Sequence, residues 1–407
     1  MTPWKARGVG FGLLAGACVC LLDGVSTLNA APAFADDTDT ALILGHALLP
    51  TPDASYIQQV MDTYIDPTTP YFSGQPVYSV GNAIGVTTPE TDYDSGLTTG
   101  VTDLDQAITQ QLGDGNNVVV FGYSMSTSIE TQEMINLAAL GSAGPSPGDL
   151  SFILAEDLNS PDGGIFTRLP GIGGVTLPAT PADTPYTTDI YSIEYSGVAD
   201  FPNYPSDPFA LANAMAGYVY LHPFLLPGWP TSFDTSALAD AVQEPTSSGY
   251  DGATEYFLIP TQDLPLLEPL RDIPGLGPAM ADLIQPDLRV LVDLGYDRAD
   301  PSDVATSADL SFPDIDWTTV TQNLELGAQQ GWIAAEVDLG LLPQSDLPDI
   351  YPYVPDVSGL MSDPGMTGLV TDPSASAADA LGGNFDLSTL LSDLTTLFAN
   401  PVDLFSL

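Results

Sequence analysis

An α/β fold with a mostly parallel central sheet is predicted by three features of the sequence. From Thr40 onward, apolar runs of strand length alternate with stretches of helical spacing, the order of a parallel sheet covered by helices. A hydrophobic content of 44% and 17 tyrosines give enough apolar surface for a packed core, despite 37 prolines and 38 glycines. The length of 407 residues fits one large α/β domain with additions.

The expected strands are Ala41–Leu44, Pro76–Val80, Asn117–Phe121, Ser151–Leu154 and Asp189–Tyr195. Between them, Ala54–Ile65, Thr102–Leu112 and Ser126–Leu140 have helical spacing, with Asp53 and Ser126 as candidate caps. After Tyr195 the alternation weakens, and two Leu- and Pro-rich stretches follow at 220–230 and 256–296. Their residues suit core packing of a domain extension, or else an apolar wall or cap over a site. A last helix is expected at Trp317–Val337, before a tail rich in Asp, Pro, Ser and Gly. The expected organisation is an export signal at 1–35, an α/β domain at 36–300 and a C-terminal extension at 301–407, partly helical.

The first 35 residues carry the pattern of an export signal. Lys5 and Arg7 precede an apolar run from Val9 to Leu22, and Ala33-Phe34-Ala35 offers small residues for cleavage before Asp36. That run is shorter than a bilayer-spanning helix. Both cysteines, Cys18 and Cys20, lie in this leader, so the mature chain is expected to hold no thiol, disulfide or Cys-bound metal, and no cofactor. Across the chain 53 acidic residues face six basic ones; the leader takes Lys5, Arg7 and Asp23, leaving four arginines. So anionic a surface repels phosphate backbones, which excludes nucleic acid as a partner. The expected location is outside the cytoplasm, secreted or in the cell envelope, with peripheral membrane association as a possibility.

Candidate chemistry centres on residues 122–126, Gly-Tyr-Ser-Met-Ser, between the apolar run "NNVVVF" and the helical stretch "STSIETQEMINLAAL". A serine on a sharp strand-to-helix turn needs small residues two before and two after it, and Gly122 and Ser126 satisfy this for Ser124. A serine nucleophile needs a base, and outside the leader the chain has only His46 and His222. In the usual chain order of this architecture acid and then base follow the serine, which selects His222. For the orienting acid, a loop after a late strand points to Asp200, in "IYSIEYSGVADFPNYP", with Asp183, Asp189, Glu194 and Asp207 as alternatives. A developing oxyanion needs two backbone donors: Met125, and His46 or Ala47 in the loop after the first strand.

Together these blocks resemble the PE-PPE domain of mycobacterial proteins, a serine hydrolase module of the α/β-hydrolase class with a cutinase-like layout. The resemblance rests on "LILGHALLPTPDASYI" (42–57), "VVVFGYSMS" (118–126), "EYSGVADFPNYP" (194–205), "GYVYLHPF" (217–224), "YFLIPTQDLPLLEPLR" (256–271) and "ADLIQPDLRVLVDLGY" (281–296), with "LGAQQG" (326–331) as a weaker match. It implies an α/β-hydrolase fold, a Ser124–Asp200–His222 triad, and hydrolysis of acyl esters or acyl transfer to trehalose-type envelope glycolipids. The chain departs from the family pattern at Gly45-His46-Ala47, where a glycine-rich turn is usual, and at Tyr195-Ser196-Gly197, where Tyr-Asp-Gly is frequent. Those departures motivate an alternative expectation, a non-catalytic envelope protein that binds a lipid or a partner.

Overall fold

The computed structural model describes residues 39–347, apart from 48, 66–79, 89–92, 226–237, 239 and 313–314. The expected leader and the tail beyond residue 347 lie outside the described residues. Among the described residues seven strands form one sheet, in the order β2-β1-β3-β4-β5-β7-β6. They are β1 (Thr40–Leu44), β2 (Asn82–Val86), β3 (Val118–Tyr123), β4 (Leu150–Ala155), β5 (Thr187–Ile193), β6 (Val242–Gln243) and β7 (Thr254–Ile259). All pairs are parallel except β6 with β7 at one edge.

The central strands β1, β3 and β4 are buried along their whole length, as a sheet covered on both faces requires. Their side chains sort by period two. Ala41, Ile43, Val119, Phe121 and Ile153 enter one core with Tyr56 and Val60 of helix α1 (Ala54–Val60). Leu42, Leu44, Val118, Val120, Phe152 and Leu154 enter the other, with Leu104 and Ile108 of α2 (Tyr93–Gly113) and Ile129, Met134 and Leu137 of α3 (Met125–Ala139). Asp53 caps α1 as expected, accepting from the N–H groups of Ser55 and Tyr56 at 2.9 Å.

Four of the five expected strands form within two residues of their expected bounds. The exception is Pro76–Val80: residues 76–79 lie outside the described residues, and the second strand is Asn82–Val86. The stretch at 256–296 holds more regular structure than expected. Its first residues complete β7, and Gly277–Asp293 forms helix α6. Aromatic and β-branched residues in "TEYFLI" favour a strand, which the prolines downstream concealed.

The chain forms α4 (Ile165–Arg168) between β4 and β5, and α5 (Pro208–Tyr220) between β5 and β6. The packing runs on past residue 300. Ser302, Thr306 and Ala308 donate backbone hydrogen bonds to the carbonyls of Pro245, Pro161 and Arg168. Helix α7 (Trp317–Asp338), one residue longer than expected, then lies along α6. Gly327 and Gly331, one turn apart, make that approach possible: a Cβ at Gly331 would stand 2.1 Å from the Leu283 carbonyl oxygen. Gly331→Ala is therefore expected to lower stability by about 1–3 kcal/mol through overpacking, read as a lower urea midpoint at unchanged slope.

Candidate active site

The site is built on the carboxyl ends of β3 and β4, where parallel strands leave their loops on one edge. At the end of β3 the chain turns sharply into α3, and Ser124 at the turn has φ 57° and ψ −123°. A non-glycine residue in this region is strained and persists only where its surroundings hold it. Ser124 N–H continues the sheet ladder by donating to the Ala155 carbonyl at 3.1 Å, while the Ser124 carbonyl accepts from Thr127 N–H at 2.9 Å and Thr127 Oγ1 at 2.7 Å. Ser126 was expected to cap α3. Instead Ser124 holds the cap position without a side-chain cap bond, and Ser126 lies inside the first turn. Its Oγ accepts from Tyr123 N–H at 2.8 Å and donates to the Tyr123 carbonyl at 3.0 Å. Gly122 is required by the opposite helix: a Cβ there would stand 2.7 Å from the carboxyl carbon of Glu130.

Because its hydroxyl is not used as a cap, Ser124 Oγ is free to meet His222 Nε2, at 2.8 Å. His222 begins a 3₁₀ turn just after α5 and is buried. Tyr123 fixes it twice, by a hydrogen bond from its hydroxyl to the His222 carbonyl and by ring stacking at 5.5 Å. The Tyr218 ring stacks on the same imidazole at 5.6 Å. On the far nitrogen, His222 Nδ1 lies 2.9 Å from Glu156 Oε2. A carboxylate only accepts, so Nδ1 carries the proton and Nε2 is left to accept from Ser124.

Glu156 is the first residue beyond β4, with φ 56° and no solvent exposure. Its N–H donates to the Tyr191 carbonyl at 2.8 Å, and its Oε1 accepts from Ile193 N–H at 2.7 Å. Both carboxyl oxygens are thus occupied and the one facing His222 cannot swing away.

Asp200, the acid expected from the sequence, does not reach His222. Arg298 holds it in a bidentate pair, at 2.6 and 2.8 Å, and Tyr195 N–H donates to it at 2.6 Å. Arg298 arrives 98 residues downstream, so nothing local to Asp200 announces the pairing. The four alternatives are elsewhere too. Asp207 caps α5, Asp189 is buried within β5, Glu194 binds Thr261, and Asp183 is exposed ahead of β5. Glu156 carried one sequence signal: it stands at a strand end between the serine and the histidine in "SFILAEDLN".

Met125 opens α3, and His46 and Ala47 follow β1, so the three expected oxyanion residues lie at the same sheet edge as Ser124. The His46 ring sits 6.5 Å from that of Tyr123 and 6.0 Å from that of Tyr56. Burial, and then the charge of His222, push His46 down to about 4, so it is neutral at physiological pH. Beside the elbow, Leu158, Ile165, Phe166, Val198, Phe201 and Leu211 form an apolar cluster. Met125, Leu169, Leu177, Met215 and Tyr218 flank it, each only partly buried. Among the described residues no group of three or more His, Cys, Asp or Glu side chains is arranged to hold a metal.

The PE-PPE domain signature matches residues 71–297, more than half of the sequence. The chain belongs to the PE-PPE domain family. Compared with proteins of Mycobacterium tuberculosis, it is 44% identical to the uncharacterized PPE family protein PPE42, over 77% of this chain and 54% of that protein. It is 40% identical to Esterase PE16, over 74% of this chain and 56% of the relative. A shorter match, 33% identical over 44% of this chain and 43% of the relative, links it to SL1278 acyltransferase Chp1. This PE-PPE chain spans about half the length of the curated relatives it matches over most of its own length. No solved structure gives a significant match. Among the described residues no helix is long and apolar enough to cross a membrane.

The geometry separates two carboxylates by role. Glu156→Gln is expected to slow fluorophosphonate labelling of Ser124 by about 10³–10⁴-fold with folding intact, because the amide no longer sets the imidazole tautomer. Asp200→Asn is expected to cost on the order of 2 kcal/mol of stability, since Arg298 keeps only part of its pairing, while folded protein labels at the normal rate. The reverse pattern would return the acid's role to Asp200.

Proposed function

We propose that this protein is an extracytoplasmic serine esterase that cleaves acyl esters with apolar chains. The observation that carries the reading is the hydrogen-bonded series Ser124–His222–Glu156 at the carboxyl edge of the sheet, with the histidine and the carboxylate buried and the serine partly exposed. As substrate binds, His222 Nε2 takes the hydroxyl proton while Ser124 Oγ attacks the ester carbonyl carbon. Glu156 stabilises the imidazolium that results. The negative oxygen of the tetrahedral intermediate is met by Met125 N–H and by a backbone N–H of the His46–Ala47 loop. The imidazolium then protonates the leaving alcohol, and the acyl group remains on Ser124. Water, deprotonated by the same histidine, releases the acid and restores the serine.

Support for an acyl substrate comes from two directions. The apolar cluster flanked by Met125 and Tyr218 adjoins the elbow, where an acyl chain would lie during attack. The name of one relative, Esterase PE16, describes chemistry of this kind. An envelope or secreted location fits the leader pattern and the company of PE and PPE proteins.

A second reading shares every step up to the acyl-enzyme, and the relative named as an acyltransferase favours it. A sugar hydroxyl of a trehalose-type glycolipid would replace water, and the product would be an acylated glycolipid rather than a free acid.

Fluorophosphonate is expected to label the wild-type protein and not Ser124→Ala, with hydrolysis of p-nitrophenyl acyl esters lost in parallel. A folded wild type that takes no label and cleaves no ester would leave only a binding role. Incubation with an acyl donor and trehalose, read by mass spectrometry, decides the acceptor: free fatty acid alone selects hydrolysis, acyl-trehalose selects transfer.

A further inference from the structure

The polar face of α3 beneath the elbow is hydrogen-bonded at nearly every position. Thr127 Oγ1 donates to the Ser124 carbonyl, Ser128 Oγ to Asn159 Oδ1 at 2.6 Å, and Thr131 Oγ1 meets Thr180 Oγ1 at 2.6 Å. Thr180 in turn donates to Asp157 Oδ2 at 2.6 Å. This network ties the helix that follows Ser124 to the loop that follows Glu156.

Glu130 breaks the pattern. It is fully buried, and neither carboxyl oxygen has a hydrogen-bond partner. The carboxyl is laid against Gly122, so close that a Cβ there would stand 2.8 and 2.9 Å from its two oxygens. It therefore fills the space between α3 and the last turn of β3, two residues before the nucleophile. An unpartnered carboxylate in such a place is disfavoured far more than the neutral acid.

We propose that Glu130 is a positioning residue which, as the neutral acid, wedges the β3–α3 turn against Gly122, and that its ionisation misplaces Ser124. The reactivity of Ser124 is thereby bounded on the alkaline side. This rests on the reading of Ser124 as a nucleophile.

Burial and one neighbouring acid reinforce the neutral form of Glu130. Burial first, and Asp157 on the loop after β4 second, hold its carboxyl well above the usual carboxylate range. Asp157 is itself raised to about 6 by burial. On α1, Tyr56 carries a hydroxyl pushed up by burial and by Glu130. On its own helix Glu133, raised to about 7 by burial, faces Asp105 of α2. The linkage has a definite sign. Below the ordinary carboxyl range, folded and unfolded chains both hold the proton; as pH rises through that range only the unfolded chain releases it, so Glu130 progressively lowers stability.

The test compares full-length wild type with Glu130→Gln, which keeps the shape and cannot ionise. Glu130→Met serves as a second uncharged replacement should the amide fold poorly. Labelling rates with a neutral fluorophosphonate are measured across pH, with near-UV circular dichroism reporting the fold and urea midpoints taken at each pH. At neutral pH the uncharged variant is expected to label as wild type does. Beyond the alkaline limb the wild-type rate is expected to fall about tenfold per pH unit while that of the variant does not. The wild-type urea midpoint is also expected to drop more with rising pH than the variant's. Superimposable rate profiles in folded protein, or equal pH dependence of the midpoints, would overturn the proposal. A wild type that never labels would refute the nucleophile, while the urea comparison would still judge the ionisation of Glu130.

Discussion

Everything at the site depends on a backbone ladder that continues past the ends of the strands. Ser124 N–H donates to the Ala155 carbonyl, Glu156 N–H to that of Tyr191, and Glu194 N–H to that of Ile259, all along one edge of the sheet. These bonds pin residues that the chain would otherwise relax. Ser124, Glu156 and Tyr195 are the described non-glycine residues with positive φ, and each stands within two residues of the end of β3, β4 or β5. The strain is local and the restraint comes from the whole sheet. Three neighbouring strands thus project three side chains from the same edge: the serine, the carboxylate that meets its histidine, and a tyrosine at the heart of the ion-pair cluster.

That cluster explains how a chain with few cations attaches its later segments. Arg298 pairs with Asp200 and lies over the Tyr296 ring at 4.5 Å. Arg289 donates to the carbonyls of Thr261 and Gln262 and lies over the ring of Tyr195. Arg271 joins Asp263 and Asp282, and Arg168 joins Asp162. Each of these four arginines links segments far apart in sequence or closes a loop, and guanidinium geometry suits such multi-point contacts. The sheet builds the site, and the arginines hold α6 and its neighbours behind it.

Much of this was legible in the sequence because it rests on periodicity and local turn chemistry. The strands β1, β3, β4 and β5, the turn with Gly122 and Ser124, and His222 as the histidine that meets Ser124 all declare themselves within a few residues of their own positions. What escaped detection depends on distant partners. Asp200 reads as a loop carboxylate with a histidine close downstream, yet Arg298 claims it from the other side of α6. Glu156 reads as one acid among many, and only the position of His222 beyond α5 sets it against a histidine. Ser126 was read as small; its hydroxyl, bonded to both backbone groups of Tyr123, matters as much. A composition in which acids outnumber bases so heavily makes the choice of one carboxylate from sequence inherently a weak inference.

The internal use of all four arginines has a consequence for the outside of the molecule. With these cations committed to partners, the described surface presents negative charge with almost nothing to offset it. Such a body carries a repulsive atmosphere roughly 8 Å deep at physiological ionic strength. Bilayers rich in anionic headgroups, or like-charged neighbours, are kept at that distance, whereas uncharged amphiphiles approach freely. Encounter rates should then be tuned by dissolved ions, since added salt thins that atmosphere and decides which assemblies the protein can touch.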